Sequence, residues 1–281
     1  MESGHALTQR IVIGVPCHRD EPGIARTVAS LAESAERLDG PWRIVVCVNG
    51  HDPGNGAAAE ALRANPGRAV VRLLDVASKP AAWNALRDEP GDVHVFADAD
   101  VTVNRWALPA LIDGLDVAGV VATAAKQDHV GDGLVAHIAL VPHRLDWGGL
   151  LGTLYAAKTA ALPAVMPTDV LLDDAWLFAQ LSAAGTVAPT PLATATVQLP
   201  TRWRDLWRQR VRAEAGKQQM QQLGLPMATP PKEASSVYKT LVAYPPREWG
   251  HVAALAAIKF FAARRARKGY GDWKLATSTK S

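Results

Sequence analysis

The strongest constraint on the fold is an alternation over the first hundred residues. Short β-branched runs take turns with stretches whose apolar residues recur at three and four. "RIVIGVP" (10–16) has the pattern of a strand, and Pro16 is expected to stop it. "GIARTVASLAESAERL" (23–38) follows, with Ile24, Val28, Leu31, Ala35 and Leu38 on one helical face. "RIVVCVN" (43–49), "AVVRLLDV" (69–76) and "DVHVFAD" (92–98) are further strands, with helices expected over 54–65 and "PAAWNALRDE" (80–89). Such an order requires crossovers, so the expected fold is α/β, a mostly parallel sheet sandwiched by helices. Ligands of such sheets sit beyond the carboxyl ends of the strands. That rule gathers Pro16–Glu21, Asn49–Asp52, Ala77–Lys79 and Asp98–Asp100 on one rim.

After residue 100 the pattern loosens. "ALPALIDGLD" is helical, "AGVVATAAKQ" is strand-like, and "GGLLGTLYAAK" (148–158) is a strand entered through glycine. "DDAWLFAQLSAAG" (173–185) is a helix begun by two aspartates and ended by Gly185. Residues 202–222 form a long basic helix that Gly216 invites to break, 224–235 has the composition of a linker or lid, and the tail to about 268 is helical.

Bulk properties narrow the function. The chain has 281 residues, enough for a sizeable core. Its 30 Lys and Arg against 27 Asp and Glu give a formal charge of +3, with no basic face interleaved with aromatics, so nucleic acid is not an expected partner. The two cysteines, Cys17 and Cys47, fall in or beside strands without metal-ligand spacing and are expected as small buried thiols in a reducing compartment. "MESGHALTQR" lacks a signal-peptide core. "VAALAAIKFFAA" (252–263) is well short of the ~20 residues that cross a bilayer. The expected location is the cytoplasm, with any membrane contact peripheral, through the basic-ended stretch 249–268.

"VFADADV" raises the chemical question. Two carboxylates at i and i+2 of an extended segment, Asp98 and Asp100, repel each other and desolvate badly. Either the strand has surfaced there or a cation sits on it. Paired carboxylates at a strand end suit a hard divalent ion whose remaining ligands are phosphate oxygens and water.

The order of motifs resembles the inverting nucleotide-sugar transferases of glycosyltransferase family 2, which have the GT-A fold. The motifs are "VPCHRDEPGIARTVASL", "VVCVNGHDPG", "KPAAWNAL", "VFADADV", "LLDDAWL" and "RDLWRQRVRAEAG". The resemblance runs over roughly residues 10–220 and implies a GT-A catalytic domain over 1–222. The nucleotide sugar would be held within about 10–105 and the acceptor within about 106–222. A linker and helical extension would fill 223–281. It implies nucleotide-sugar contacts from Pro16, His18, Glu21, Asn49, Lys79, Asn84, Asp98, Gln209 and Arg212, and a Mg²⁺ or Mn²⁺ ion on Asp100 and Asp98.

It further implies that Asp174 is the general base, with Asp173, Trp147 and Trp176 on the acceptor side. As residues alone, Asp173 and Asp174 equally suit a helix start, where carboxylates complement the dipole; Trp147 and Trp176 equally suit a core. The family's Gln-x-x-Arg-Trp motif appears as Gln209 to Ala213, with alanine in place of tryptophan. The implied activity is a metal-dependent, non-processive, hexosyltransferase-like transfer from a UDP- or GDP-sugar. Its acceptor would be a small molecule, a glycan or a lipid-linked hydroxyl. A sugar-phosphate nucleotidyltransferase and an inactive GT-A binding module are the alternatives.

Overall fold

A computed structural model describes residues 9–50, 58, 62–63, 69–144, 151–225, 242 and 244–268. The chain divides into two compact units. The first comprises residues 1–127, 151–168 and 180–195, and the second residues 128–150, 169–179 and 196–281.

The strands are β1 (Ile11–His18), β2 (Trp42–Asn49), β3 (Val70–Leu74), β4 (Val93–Ala97), β5 (Thr102–Val103), β6 (Val120–Val130), β7 (Leu154–Lys158) and β8 (Thr186–Gln198). They form a sheet in the order β3-β2-β1-β4-β7-β6-β8-β5. The β3-β2-β1-β4 half is parallel, and β7 runs antiparallel to both β4 and β6. The helices are α1 (Ile24–Ala35), α2 (Lys79–Arg87), α3 (Ala107–Gly114), α4 (Leu134–Leu140), α5 (Asp173–Ala184), α6 (Trp203–Gln222) and α7 (Trp249–Ala266). Most of the helix expected over 54–65 and the linker expected over 224–235 lie outside the described residues.

The core of the first unit is the parallel half-sheet under its helices. β1, β2 and β4 are apolar along nearly their whole length, with Ile13, Val15, Val45, Val46 and Val95 fully buried. That pattern belongs to strands covered on both faces. Each such side chain contributes roughly 1.5–3 kcal/mol on burial. Cys17 and Cys47 are buried free thiols in adjacent strands, as expected. Trp83, Phe96 and Tyr155 stack in sequence at centroid spacings of 5.2 and 5.3 Å, and the Trp83 indole donates to the Tyr155 hydroxyl at 2.8 Å.

Two expectations change. β1 does not stop at Pro16 but runs on to His18, still in register with Asn49 of β2. Its pairing with β4 ends earlier, at Gly14 opposite Phe96. Pro16 lies past that point, so its missing N–H removes no ladder bond on the β4 side. Gly216 does not break the basic helix; α6 is continuous through it. A Cβ there would lie 2.3 Å from Leu172 Cγ, so glycine allows a close approach within the second unit.

Candidate active site

The parallel half-sheet reverses its winding between β1 and β4, the position at which open α/β sheets bind ligands. Four segments leave the carboxyl ends of the strands there, and local hydrogen bonds hold their described residues. After β1, the buried Glu21 accepts the amide of Gly23 on Oε1 at 3.0 Å, its own amide donates to the His18 carbonyl at 3.0 Å, and His18 Nδ1 accepts the Asp20 amide at 3.2 Å. After β2, Asn49 is buried and its Nδ2 donates to the Cys17 carbonyl at 2.8 Å. Its Oδ1, also buried, has no hydrogen-bond partner among the described residues.

Gly50 then adopts φ +69°, and its amide donates to the Val76 carbonyl at 3.1 Å. A Cβ at Gly50 would stand 3.0 Å from that of Ala77, so both the turn and the close approach require glycine. The loop after β3 leads into Ser78, which caps α2 by accepting the Ala81 amide at 3.2 Å. Lys79 therefore leaves a fixed helix start, and its Nζ lies 2.8 Å from Asp98 Oδ1.

The Asp98–Asp100 segment has its own scaffold. β4 ends at Ala97 and Ala99–Asp100 form a turn, so the simple alternation of an extended strand does not apply. The outcome matches it nonetheless, because Ala99 is buried while Asp98 and Asp100 are partly exposed. The Asp98 amide donates to the Thr153 carbonyl at 2.8 Å. The buried Thr27 hydroxyl stands 2.8 Å from the carbonyls of both Ala99 and Val101. One turn further along α1, Ser30 Oγ accepts the Val103 amide at 3.2 Å, and Ser34 Oγ accepts the Leu108 amide at 3.0 Å. Three hydroxyls on one face of α1 thus hold the backbone that follows β4.

Among the described residues there is no group of three His, Cys, Asp or Glu side chains placed to enclose a metal. Two carboxylates, Asp98 and Asp100, fit a divalent cation that takes its other ligands from a bound diphosphate and water.

Asn84 turns elsewhere. Its Nδ2 donates to the Met166 carbonyl at 2.9 Å and its Oδ1 accepts the Met166 amide at 2.8 Å, so the whole amide braces one backbone residue.

In the second unit, α5 begins at Asp173 and Asp174. Asp174 is exposed, with Oδ1 accepting the Ala175 amide at 2.9 Å, and Asp173 is partly exposed. The segment entering this turn is held by Gln219 of α6, whose Oε1 accepts the Leu171 amide and whose Nε2 donates to the Asp169 carbonyl, both at 2.9 Å. Gln209 and Arg212 lie midway along α6, partly buried. Trp176 is 7% exposed and serves the core. Trp147 lies outside the described residues.

A parallel half-sheet ending in an acidic turn, with an antiparallel strand beside it, is the arrangement of the GT-A class of fold. The solved structures agree. A mannosyltransferase from Pyrobaculum calidifontis, solved with GDP-Man and Mn²⁺, superimposes with a TM-score of 0.58 at 20% identity, over 94% of this chain and 80% of its own. Glucosyl-3-phosphoglycerate synthase from Mycobacterium tuberculosis, solved with Mn²⁺, uridine diphosphate and glucosyl-3-phosphoglycerate, gives 0.53 at 18%, over 78% and 81%. TarS from S. aureus gives 0.52 at 12%, over 94% of this chain but 56% of its own. No curated protein matches the chain by sequence. Residues 12–139 match the family model for glycosyl transferase family 2. That match spans somewhat under half of the chain, and the likeness to the solved structures extends the shared GT-A fold over most of it.

Thr153 and Gln219 brace the site without being singled out by the sequence, whereas Thr27 belongs to the motif after the first strand and shows as a hydroxyl on the buried face of an otherwise apolar helix.

Proposed function

We propose that this glycosyltransferase moves a sugar from a UDP- or GDP-sugar to an acceptor hydroxyl with inversion, assisted by Mg²⁺ or Mn²⁺. The observation that carries this reading is the Lys79–Asp98 pair at the winding reversal, 2.8 Å apart and next to Asp100. It sets a cation and two carboxylates where a diphosphate and its metal would need them. The GDP-Man, uridine diphosphate and Mn²⁺ bound by two of the similar structures support the same donor class.

Asp98 and Asp100 would hold the cation, which when bound supplies Lewis-acid stabilisation to the leaving diphosphate. Lys79 adds a fixed positive charge for the same phosphates. Gly50 turns the chain just after Asn49, whose buried Oδ1 has no hydrogen-bond partner among the described residues and favours a donor group on the ligand's base. Asp174 is the general base: its exposed carboxylate takes the proton from the acceptor hydroxyl as that oxygen attacks the anomeric carbon and the diphosphate departs. No described helix is long and apolar enough to cross a membrane.

The test is a donor panel with purified protein, with and without Mn²⁺, reading released nucleoside diphosphate. Metal-dependent release from one UDP- or GDP-sugar, lost in Asp100→Asn, is expected. Release of pyrophosphate from a sugar phosphate and a nucleoside triphosphate would instead make the protein a nucleotidyltransferase.

A further inference from the structure

α6 and α7 pack together in the second unit, and their shared seam has cations where its pattern asks for apolar side chains. Along α7 the buried residues are Val252, Leu255, Ala262 and Ala266. Lys259 fills the three-four position between Leu255 and Ala262, partly buried. Leu255 and Val252 belong to an apolar cluster with Leu206 and Val135, against which Ile258 also packs. On α6, Arg210 stands one turn after the buried Leu206. Its Nε is shielded from solvent and has no hydrogen-bond partner among the described residues.

Glu214 offsets the charge of both Arg210 and Lys259. Burial pushes the Lys259 ammonium below the ordinary lysine value; nearby Lys217 and Arg210 push the same way, and Glu214 alone opposes them. Glu214 is itself bound to Lys217, with Nζ 2.7 Å from Oε1. The imidazole of His143, tilted against that of His129 at a centroid distance of 3.9 Å, also feels the charges of Arg210 and Lys259. Cations facing a seam, one with an unmet donor, weaken the fold unless something compensates them. A packed helix pair does not hold such an arrangement for stability alone.

We propose that Arg210 and Lys259 form an anion site in the second unit that takes a phosphate-type oxyanion. Arg210 offers its unmet Nε–H in a directional bond and Lys259 a compact charge, with His143 beside them as a further polar group. The site brings the C-terminal helix into ligand recognition. The oxyanion is either a phosphate on the acceptor or the diphosphate of the donor. Only that role rests on the transferase reading; the binding itself does not.

Inorganic phosphate is the probe. Added to the wild type it should raise the melting temperature in proportion to ln(1 + [L]/Kd). Arg210→Gln and Lys259→Met should each weaken phosphate binding by roughly tenfold or more. Without phosphate, Lys259→Met should melt no lower than the wild type, because it removes a desolvated charge from beside two others. A wild type indifferent to phosphate, or an equal rise in the variants, overturns the proposal. If Arg210→Gln does not fold, Lys259→Met carries the test. Titration of UDP or GDP with Mn²⁺ then separates the sources. Weakened nucleotide binding in the variants assigns the site to the donor diphosphate, and unchanged binding assigns it to a phosphate on the acceptor.

Discussion

The hydroxyl of Thr27, in the first turn of α1, stands 2.8 Å from the carbonyl of Ala99, the residue between the two aspartates. It stands equally close to the carbonyl of Val101, so one proton serves two acceptors on either side of Asp100. The acidic turn is therefore built from a distant helix as much as from its own strand. Thr27→Val keeps the shape and strands both carbonyls. The expected cost is about 1–3 kcal/mol, seen as a lower urea midpoint with an unchanged slope. Thr27→Ser should recover most of it. A valine variant as stable as the wild type would show that the hydroxyl does not hold the turn.

Lys79 and Asp98 make the second relationship, and it predicts opposite effects on two ligands. Without nucleotide, the ammonium competes with any divalent cation for Asp98. With nucleotide, it adds to the charge that the phosphates meet. Lys79→Met should thus bind Mn²⁺ alone more tightly, by roughly two- to tenfold given that both side chains are about a third exposed and partly screened. The same variant should bind UDP or GDP with Mn²⁺ more weakly. Calorimetric titration of each separates the two. Weaker binding of Mn²⁺ alone would mean that Lys79 does not compete for the carboxylate.

How much of this was legible in the sequence depends on which force sets each element. The parallel half was legible because its strands are largely apolar runs, followed by glycine after β2 and aspartate after β3 and β4, and α1 keeps its three-four spacing; only the end of β1, past Pro16, was misplaced. β8 carried no such signal. Its residues are small or polar, with Pro189 and Pro191 inside it, and Leu192 is 76% exposed. Those prolines are tolerated because the neighbouring β5 spans only Thr102–Val103, near the far end of β8, where the Asn104 amide donates to the Thr194 carbonyl. On the candidate site, motif spacing singled out Lys79, Asp98 and Asp100, and the structure brings Lys79 and Asp98 within 2.8 Å. It did not reveal that Asn84 braces Met166 or that Gln219 braces the approach to Asp173. Those are long-range bonds to backbone, and nothing local in the sequence announces them.

Gln219 should behave as a positioning residue. Gln219→Leu removes one acceptor from the Leu171 amide and one donor from the Asp169 carbonyl, at about 1–2 kcal/mol for two partly solvated bonds. If Asp174 is the base, kcat should fall while the affinity for nucleotide stays unchanged. Gln219→Glu keeps the bond from the Leu171 amide and should restore part of the rate. A loss of nucleotide affinity equal to the loss in kcat would instead indicate general loosening.

His94 gives the fold a pH dependence with a definite sign. The ring is fully buried in β4, with Nδ1 2.8 Å from Thr159 Oγ1 and Nε2 3.1 Å from the Glu89 carbonyl. Burial pushes its pKa below the ordinary histidine value; the bond to the Glu89 carbonyl opposes this, and the Arg87 and Arg43 charges add to it. The unfolded chain, with histidine near ~6.5, therefore takes up a proton at pH values where the folded chain does not. Stability from this residue is present in full above about pH 6.5 and declines as the pH falls below it, by at most about 1.4 kcal/mol per pH unit. His129, whose pKa burial also lowers, contributes in the same direction. Urea midpoints between pH 7.5 and 5 should show the decline. His94→Gln offers a neutral side chain of similar reach and should flatten the slope by the share of one proton, even if it lowers stability throughout. A slope identical to the wild type would place the responsible proton on another group.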